Sequence, residues 1–273
     1  MNQKVDLAFF NPKVTYDNGA VAYEEASRHY WAVIGERSAS RLNLQPGETV
    51  LDVACGSGSS AMPAAELVGP HGRVVAVDLA PKILELAQRK AEQRGLLNIL
   101  FRQGDMTNLG YQDGQFDAVV CVMGIFFCED MRKAVIELWR MLRPGGRLVI
   151  TVLGPHFFTP LYKVWKTAML AERPDLKIAL PWERLNQSFG VCQLMTKAGI
   201  PNAEVTLEEN RLELRSPDEW WNIVMGTGMR RYVSELEIAA ARRVRQDNLE
   251  WAQEHAIASL ELDVIYADAV KEG

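Results

Sequence analysis

The chain has 273 residues, 48% hydrophobic and 24% charged, which excludes a disordered, collagen-like or coiled-coil protein. Its 30 Lys and Arg against 35 Asp and Glu give a net charge of -5, arguing against broad phosphate binding and against nucleic acid as a partner. The four cysteines, Cys55, Cys121, Cys128 and Cys192, are scattered with no C-x-x-C pair, so they read as small core residues in a reducing, cytoplasmic compartment. Asp6 interrupts the first apolar stretch, which makes a secretory signal unexpected. The most apolar run, Phe116 to Phe127, is shorter than the ~20 residues of a membrane span and contains Asp117.

Regular alternation begins near Pro46. Thr49 to Ala54 is a short apolar strand that stops at Cys55-Gly-Ser-Gly-Ser-Ser60, and Ala61 to Leu67 reads as helix. Arg73 to Asp78 is a second strand with a continuous β-branched run, as expected of a strand buried on both faces. Pro81 opens a helix with an apolar stripe at Ile83, Leu84, Ala87 and Ala91, and Gly95 closes it. Asn98 to Arg102 and Phe116 to Val122 give the third and fourth strands, and Asp130 caps a helix running through Leu142. Arg143-Pro-Gly-Gly146 reads as a sharp reversal into a fifth strand, Leu148 to Val152. Strands alternating with helices imply an α/β fold, a doubly wound parallel sheet with helices on both faces. After Gly154 the rhythm breaks. Residues 155 to 198 look helical and aromatic, Ala203 to Arg215 reads as a strand pair or one long strand, 217 to 254 as helix, and Ala258 to Tyr266 as a terminal strand.

The turn after the first strand carries the chemistry. Gly56 and Gly58 allow a tight strand-to-helix turn and close approach of backbone N–H groups to a ligand. Gly56-x-Gly58-x-x-Ala61, with Asp78 twenty residues beyond Gly58, also fits a dinucleotide fingerprint, so an NAD(P)-dependent oxidoreductase is one reading. The neighbours favour another. Asp52 precedes the glycines, where a carboxylate repels a pyrophosphate but suits an ammonium. Asp78 ends the second strand and can accept two ribose hydroxyls, and Gly104-Asp105-Met106 ends the third with an acceptor for an exocyclic amine. Three acids at successive strand ends describe a site for a sugar, an amine and a cationic tail.

These residues resemble those of class I S-adenosylmethionine-dependent methyltransferases, nearest the ubiquinone/menaquinone C-methyltransferase type and its small-molecule relatives. Val50-Leu-Asp-Val-Ala-Cys-Gly-Ser-Gly58 is similar to the first motif, with Ala54 where many members have glycine. Val75 to Asp78 is similar to the ribose-binding strand, Gln103 to Met106 to the adenine-side motif, Phe116 to Gly124 to the fourth strand, and Leu142 to Leu148 to the turn before the fifth. The resemblance implies a Rossmann-like seven-stranded sheet whose last strand runs antiparallel. It implies S-adenosylmethionine as cofactor, held by Asp52, Ala54, Gly56, Ser57, Gly58, Asp78, Leu79, Gly104, Asp105, Met106, Val122 and Met123. Residues 1–273 then read as a single methyltransferase domain: 1–45 as N-terminal lid helices, 46–154 as cofactor-binding core, 155–198 and 216–256 as substrate-cap helices, 199–215 and 257–270 as C-terminal strands.

A small, aromatic or lipophilic acceptor is expected, since no Asn/Asp-Pro-Pro-Tyr/Phe sequence or Pro-Cys dipeptide is present. A non-catalytic cofactor-binding scaffold with this fold is the alternative. The acceptor pocket is expected to use Tyr30, Phe126, Phe127, Phe157, Trp182, Trp221 and Met225, and Trp31 shares with Tyr30 a place where it could close over the cofactor. His156, just after the fifth strand, is the first general-base candidate and His29 the second. The four histidines lack metal-ligand spacing, so no metal is expected. The sequence leaves open whether the protein is a monomer or a homodimer.

Overall fold

Five strands rise from the regular part of the chain: β1 (Thr49–Val53), β2 (Arg73–Asp78), β3 (Ile99–Gln103), β4 (Phe116–Val122) and β5 (Leu142–Leu153). The structure is a computed structural model that describes residues 11–18, 23 and 30–273. All five strands pair in parallel, and two later strands, β6 (Glu204–Glu208) and β9 (Val264–Val270), complete a seven-stranded sheet in the order β3-β2-β1-β4-β5-β9-β6. The continuous apolar runs of the central strands follow from burial on both faces. Leu51, Val53, Val75, Val77, Val119 and Cys121 pack into one core, and the intervening Val50, Val74, Ala76, Ala118 and Val120 into the other.

Helices α2 (Trp31–Arg41), α3 (Ala61–Val68), α4 (Pro81–Gln93) and α5 (Met131–Met141) cover those faces. Proline opens α4 where its missing N–H costs nothing, and Asp130 caps α5 by accepting from the Lys133 N–H at 2.9 Å. The short α1 (Pro12–Asn18) lies against α4, with Asp17 accepting from the Lys82 N–H at 3.0 Å. Beyond β5 come α6 (Leu161–Glu172), a 3-10 turn at Pro181–Arg184, α7 (Ser188–Lys197), α8 (Pro217–Gly226), α9 (Met229–Val233) and α10 (Ile238–Glu254). Among the described residues no helix is long and apolar enough to cross a membrane.

Three sequence expectations change. The antiparallel strand is β9 (Val264–Val270), inserted between β5 and β6 (Glu204–Glu208), not Ala258 to Tyr266. The alternation from 258 onward spans two elements, because β8 (Ser259–Glu261) leaves to pair with β7 (Arg211–Glu213) in a separate two-stranded sheet. Residues 203 to 215 therefore hold two strands that belong to different sheets. The Arg143-Pro-Gly-Gly146 reversal is an irregularity within β5. Leu142 already faces Phe116, and pairing resumes with Arg147 opposite Ala118.

Polar contacts tie α2 to the far edge of this sheet. The Arg41 guanidinium donates to Asp268, to Glu208 at 2.9 Å and to Thr206 at 2.7 Å, and lies 4.6 Å over the Tyr266 ring. A planar fork suits this set, since one cation serves two carboxylates and an aromatic face. Arg41→Ala is expected to cost about 2 kcal/mol by leaving partly buried acids short of a partner, read as a lower urea midpoint with unchanged slope.

Candidate active site

The sheet order reverses beside β1, whose neighbours are β2 on one side and β4 on the other. Ligands of open α/β sheets bind at such a reversal, outside the carboxyl ends of the strands. A cavity of about 1090 Å³, open mouth included, sits there. Its floor is backbone under strain. Ala54 and Met123, immediately after β1 and β4, both take left-handed conformations (φ 59° and 54°). Gly124 follows without a Cβ, which would otherwise lie 2.3 Å from the Ala54 Cβ. On the other side, α2 approaches the glycine-rich turn so closely that a Cβ on Gly35 would fall 2.3 Å from the Ser59 carbonyl oxygen.

Two carboxylates define the polar end. Asp78, at the end of β2, lines the cavity and accepts from the Gly56 and Ala80 N–H groups, each at 2.9 Å. Burial raises its pKa, against the pull of these backbone donors. Asp52 is fully buried beneath the floor. Its Oδ2 accepts from the Ser60 hydroxyl at 2.7 Å, while its Oδ1 has no hydrogen-bond partner. Burial pushes the Asp52 carboxyl up to about 7, opposed by the Ser60 bond and assisted by the Asp78 charge. An orphaned buried acceptor is costly, so this oxygen is suited to a donor or cation that arrives with a ligand.

The other walls are apolar and largely aromatic. Phe126 and Phe127, in the 3-10 turn Ile125–Phe127 after β4, meet edge to face with centroids 4.8 Å apart. Phe157, Phe158, Trp182 and Trp31 complete these walls. Tyr16 of α1 sets its ring edge-on to Phe127 at 5.7 Å, and burial, then the Asp78 charge, raises its pKa.

Of the expected cofactor residues, Ala54, Gly56, Asp78, Leu79, Gly104, Met106, Val122 and Met123 line the cavity. Ser57 and Gly58 build the turn behind it, with Ser57 buried and the Gly58 N–H donating to the Cys55 carbonyl at 2.9 Å. Asp105 is exposed and bonds the Thr107 N–H and hydroxyl, so it does not supply the expected acceptor in the cavity. Phe126, Phe127, Phe157 and Trp182, expected in the acceptor pocket, line the same cavity. Trp221 and Met225 do not, because the neighbouring Trp220 fixes α8 against α10 by donating to Asn248 at 3.0 Å. Tyr30 is fully buried behind Trp31, at a ring distance of 4.4 Å.

His156 does follow β5 but is not part of the cavity wall. Its side chain is 64% exposed, and Nδ1 lies 2.9 Å from Oδ2 of the buried Asp263. His29 lies outside the described residues. Sequence reasoning missed Tyr16, Tyr23, Ser59, Ser60, Ile83 and Thr227, all of which line the cavity. Ser59 and Ser60 were legible as the continuation of the glycine turn, whereas the two tyrosines belong to no motif.

Residues 50–146 match the methyltransferase domain family. These residues form a methyltransferase domain of the class I S-adenosylmethionine-dependent type. The chain is 28% identical to the nocamycin O-methyltransferase of Saccharothrix syringae over 75% of this chain and 76% of that one. It is 43% identical to the demethylmenaquinone methyltransferase of Thermus thermophilus over 39% of this chain and 47% of the relative. The matches thus span about half the length of the menaquinone relatives. The fold also matches that of phosphoethanolamine N-methyltransferase 2 of Haemonchus contortus, solved with S-adenosyl-L-methionine. That likeness has a TM-score of 0.58 and 19% identity, and covers 98% of this chain and 60% of that one. The cofactor of this methyltransferase is S-adenosylmethionine. The donor set fits it, with an acid at the end of β2 for ribose hydroxyls and an unpartnered buried carboxylate oxygen beneath the cavity for positive charge.

The close approach at the floor is testable. Gly124→Ala must displace Ala54 or Met123 and is expected to weaken S-adenosylhomocysteine binding at least ~10-fold with a lower melting temperature. Ala54→Gly relieves the left-handed backbone and is expected to keep stability within about 1 kcal/mol. Calorimetry and thermal denaturation of both variants check this pair.

Proposed function

We propose that this methyltransferase transfers the methyl group to a small aromatic or lipophilic acceptor. The observation that carries the reading is the set of aromatic side chains, Phe126, Phe127, Phe157, Phe158 and Trp182, that lines the same cavity as Asp78. Rigid aromatic surfaces favour a planar or apolar partner and exclude water around it. The menaquinone and nocamycin relatives support this class of acceptor by analogy.

When bound, S-adenosylmethionine supplies a methyl group on a sulfonium, already electrophilic. The residues of this chain are then asked chiefly to bind and align. In our reading Asp78 accepts the ribose hydroxyls, Gly56 and Leu79 present backbone beside them, and the Asp52 charge favours the cationic end. The aromatic wall holds the acceptor in line, and alignment of this kind can supply on the order of 7–11 kcal/mol. His156 does not line the cavity, so in this reading it moves no proton at the acceptor.

Asp52 gives the binding step a pH dependence. With its pKa at about 7, the acid takes up a proton below that pH and loses its attraction for a cation. S-adenosylhomocysteine affinity is expected to rise with pH by up to ~10-fold per unit and to level off above about pH 7.5. In the ligand-free protein the sign is opposite. The native state binds the extra proton between the ordinary carboxylate range and about 7, so stability falls as pH rises through that window. Asp52→Asn should bind more weakly with a flat profile, and Asp78→Ala at least ~10-fold more weakly at every pH, both by calorimetry.

Turnover over a panel tests the acceptor. With S-adenosylmethionine present, 1,4-naphthohydroquinone or a catechol is expected to be methylated and phosphoethanolamine not. Methylation of phosphoethanolamine alone would overturn the reading, and binding without turnover of any acceptor would favour the non-catalytic scaffold. In the same assay His156→Ala should change turnover less than about threefold, far below the roughly 10²–10⁴-fold contribution of a general base.

A further inference from the structure

Trp182 lies in the cap, in the 3-10 turn Pro181–Arg184, whereas Phe126 and Phe127 lie in the turn after β4. They face the same cavity from different parts of the chain, so something must set the gap between them. The residue after the cap turn's Glu183 is placed to do so. Arg184 Nη1 donates to the Cys128 carbonyl at 2.7 Å and the Phe126 carbonyl at 3.2 Å, and its Nη2 to the Glu129 carbonyl at 3.0 Å. A guanidinium half withdrawn from water has thus been spent on three main-chain oxygens, and desolvation lowers its pKa. The fork shape matters, because an ammonium offers no comparable planar array of donors.

The cap turn is itself held firmly. Glu183 accepts from the Leu180 N–H at 3.0 Å, the Tyr162 hydroxyl at 2.8 Å and Lys166 at 3.2 Å. Tyr232 bonds both the N–H and the carbonyl of Ala179, at 3.1 and 2.8 Å. Arg184 therefore connects one rigid turn to another, with an aromatic cavity wall on each.

We propose that Arg184 is a positioning residue for the methyl acceptor, fixing the slot between Trp182 and Phe126–Phe127. The inference rests on the proposed acceptor class, but it concerns the preformed slot and can be read without turnover. The probe is 8-anilinonaphthalene-1-sulfonate, an aromatic dye, titrated into the protein saturated with S-adenosylhomocysteine. Misplacement of a positioned group by about 1 Å can cost ~100-fold, so Arg184→Gln is expected to bind the dye at least ~10-fold more weakly. Its affinity for S-adenosylhomocysteine should stay within about twofold of wild type, and Arg184→Lys should recover part of the dye affinity. A merely loosened fold would act in the other direction, with brighter dye fluorescence and loss of S-adenosylhomocysteine binding. That outcome, equal dye affinity in all three proteins, or no dye binding by wild type would overturn the proposal. Failure to methylate 1,4-naphthohydroquinone would count against the acceptor class and leave the dye result standing.

Discussion

The close approach of two strand ends governs this molecule. Where β1 and β4 finish side by side, Ala54 and Met123 both turn into the left-handed region, and Gly124 leaves room for the Ala54 methyl. Such conformations persist only where surrounding packing over-determines them. Here the two cores above and below the sheet do so, since the residues leading into the turns are almost completely buried. The result is a cavity floor in which the Gly56 N–H donates to Asp78 and the Ser60 hydroxyl to Asp52.

The two acids divide the work of that floor by their surroundings. Asp78 is met by backbone donors and borders the cavity, so it can trade or extend its hydrogen bonds with a ligand. Asp52 is sealed below with one oxygen satisfied and one not. Residues of the same chemical type, at the ends of adjacent strands, thus meet different surroundings, backbone donors in one case and an unmatched buried oxygen in the other. Asp105, which the sequence places in the same series, bonds Thr107 through one oxygen and is not among the residues that line the cavity.

How far the sequence could be read depended on whether local pattern or long-range packing decides a residue's place. β1, β2 and β4 were legible because continuous β-branched runs have one stable use, a strand buried on both faces. The glycine turn was legible because its neighbours, Asp52 and Asp78, carry chemistry at fixed spacing. The cap was not. Trp182 and Trp221 look alike in sequence, but Trp182 lines the cavity while Trp221 does not, on a helix whose Trp220 is bonded to Asn248. Tyr16 comes to Asp78 through the docking of α1 on α4 by Asp17, a contact between segments that share no periodicity. His156 was placed correctly along the chain, but its direction is set by Asp263, more than a hundred residues later.

The order of strands in the sheet also has a kinetic side. β6 lies at the sheet edge, and among the described residues its neighbour there is β9, which follows it by more than fifty residues. Between the synthesis of the two, β5 and β6 each present an unpaired row of N–H and C=O groups. Long-range pairing of this kind is slow to form and leaves strand edges open to association with other chains. During that interval α8, α9 and α10 are made, and they pack on one another and on α6. Arrival of β9 pairs the open row of β5 and one row of β6 in a single step, so one strand joins two otherwise separate parts of the sheet.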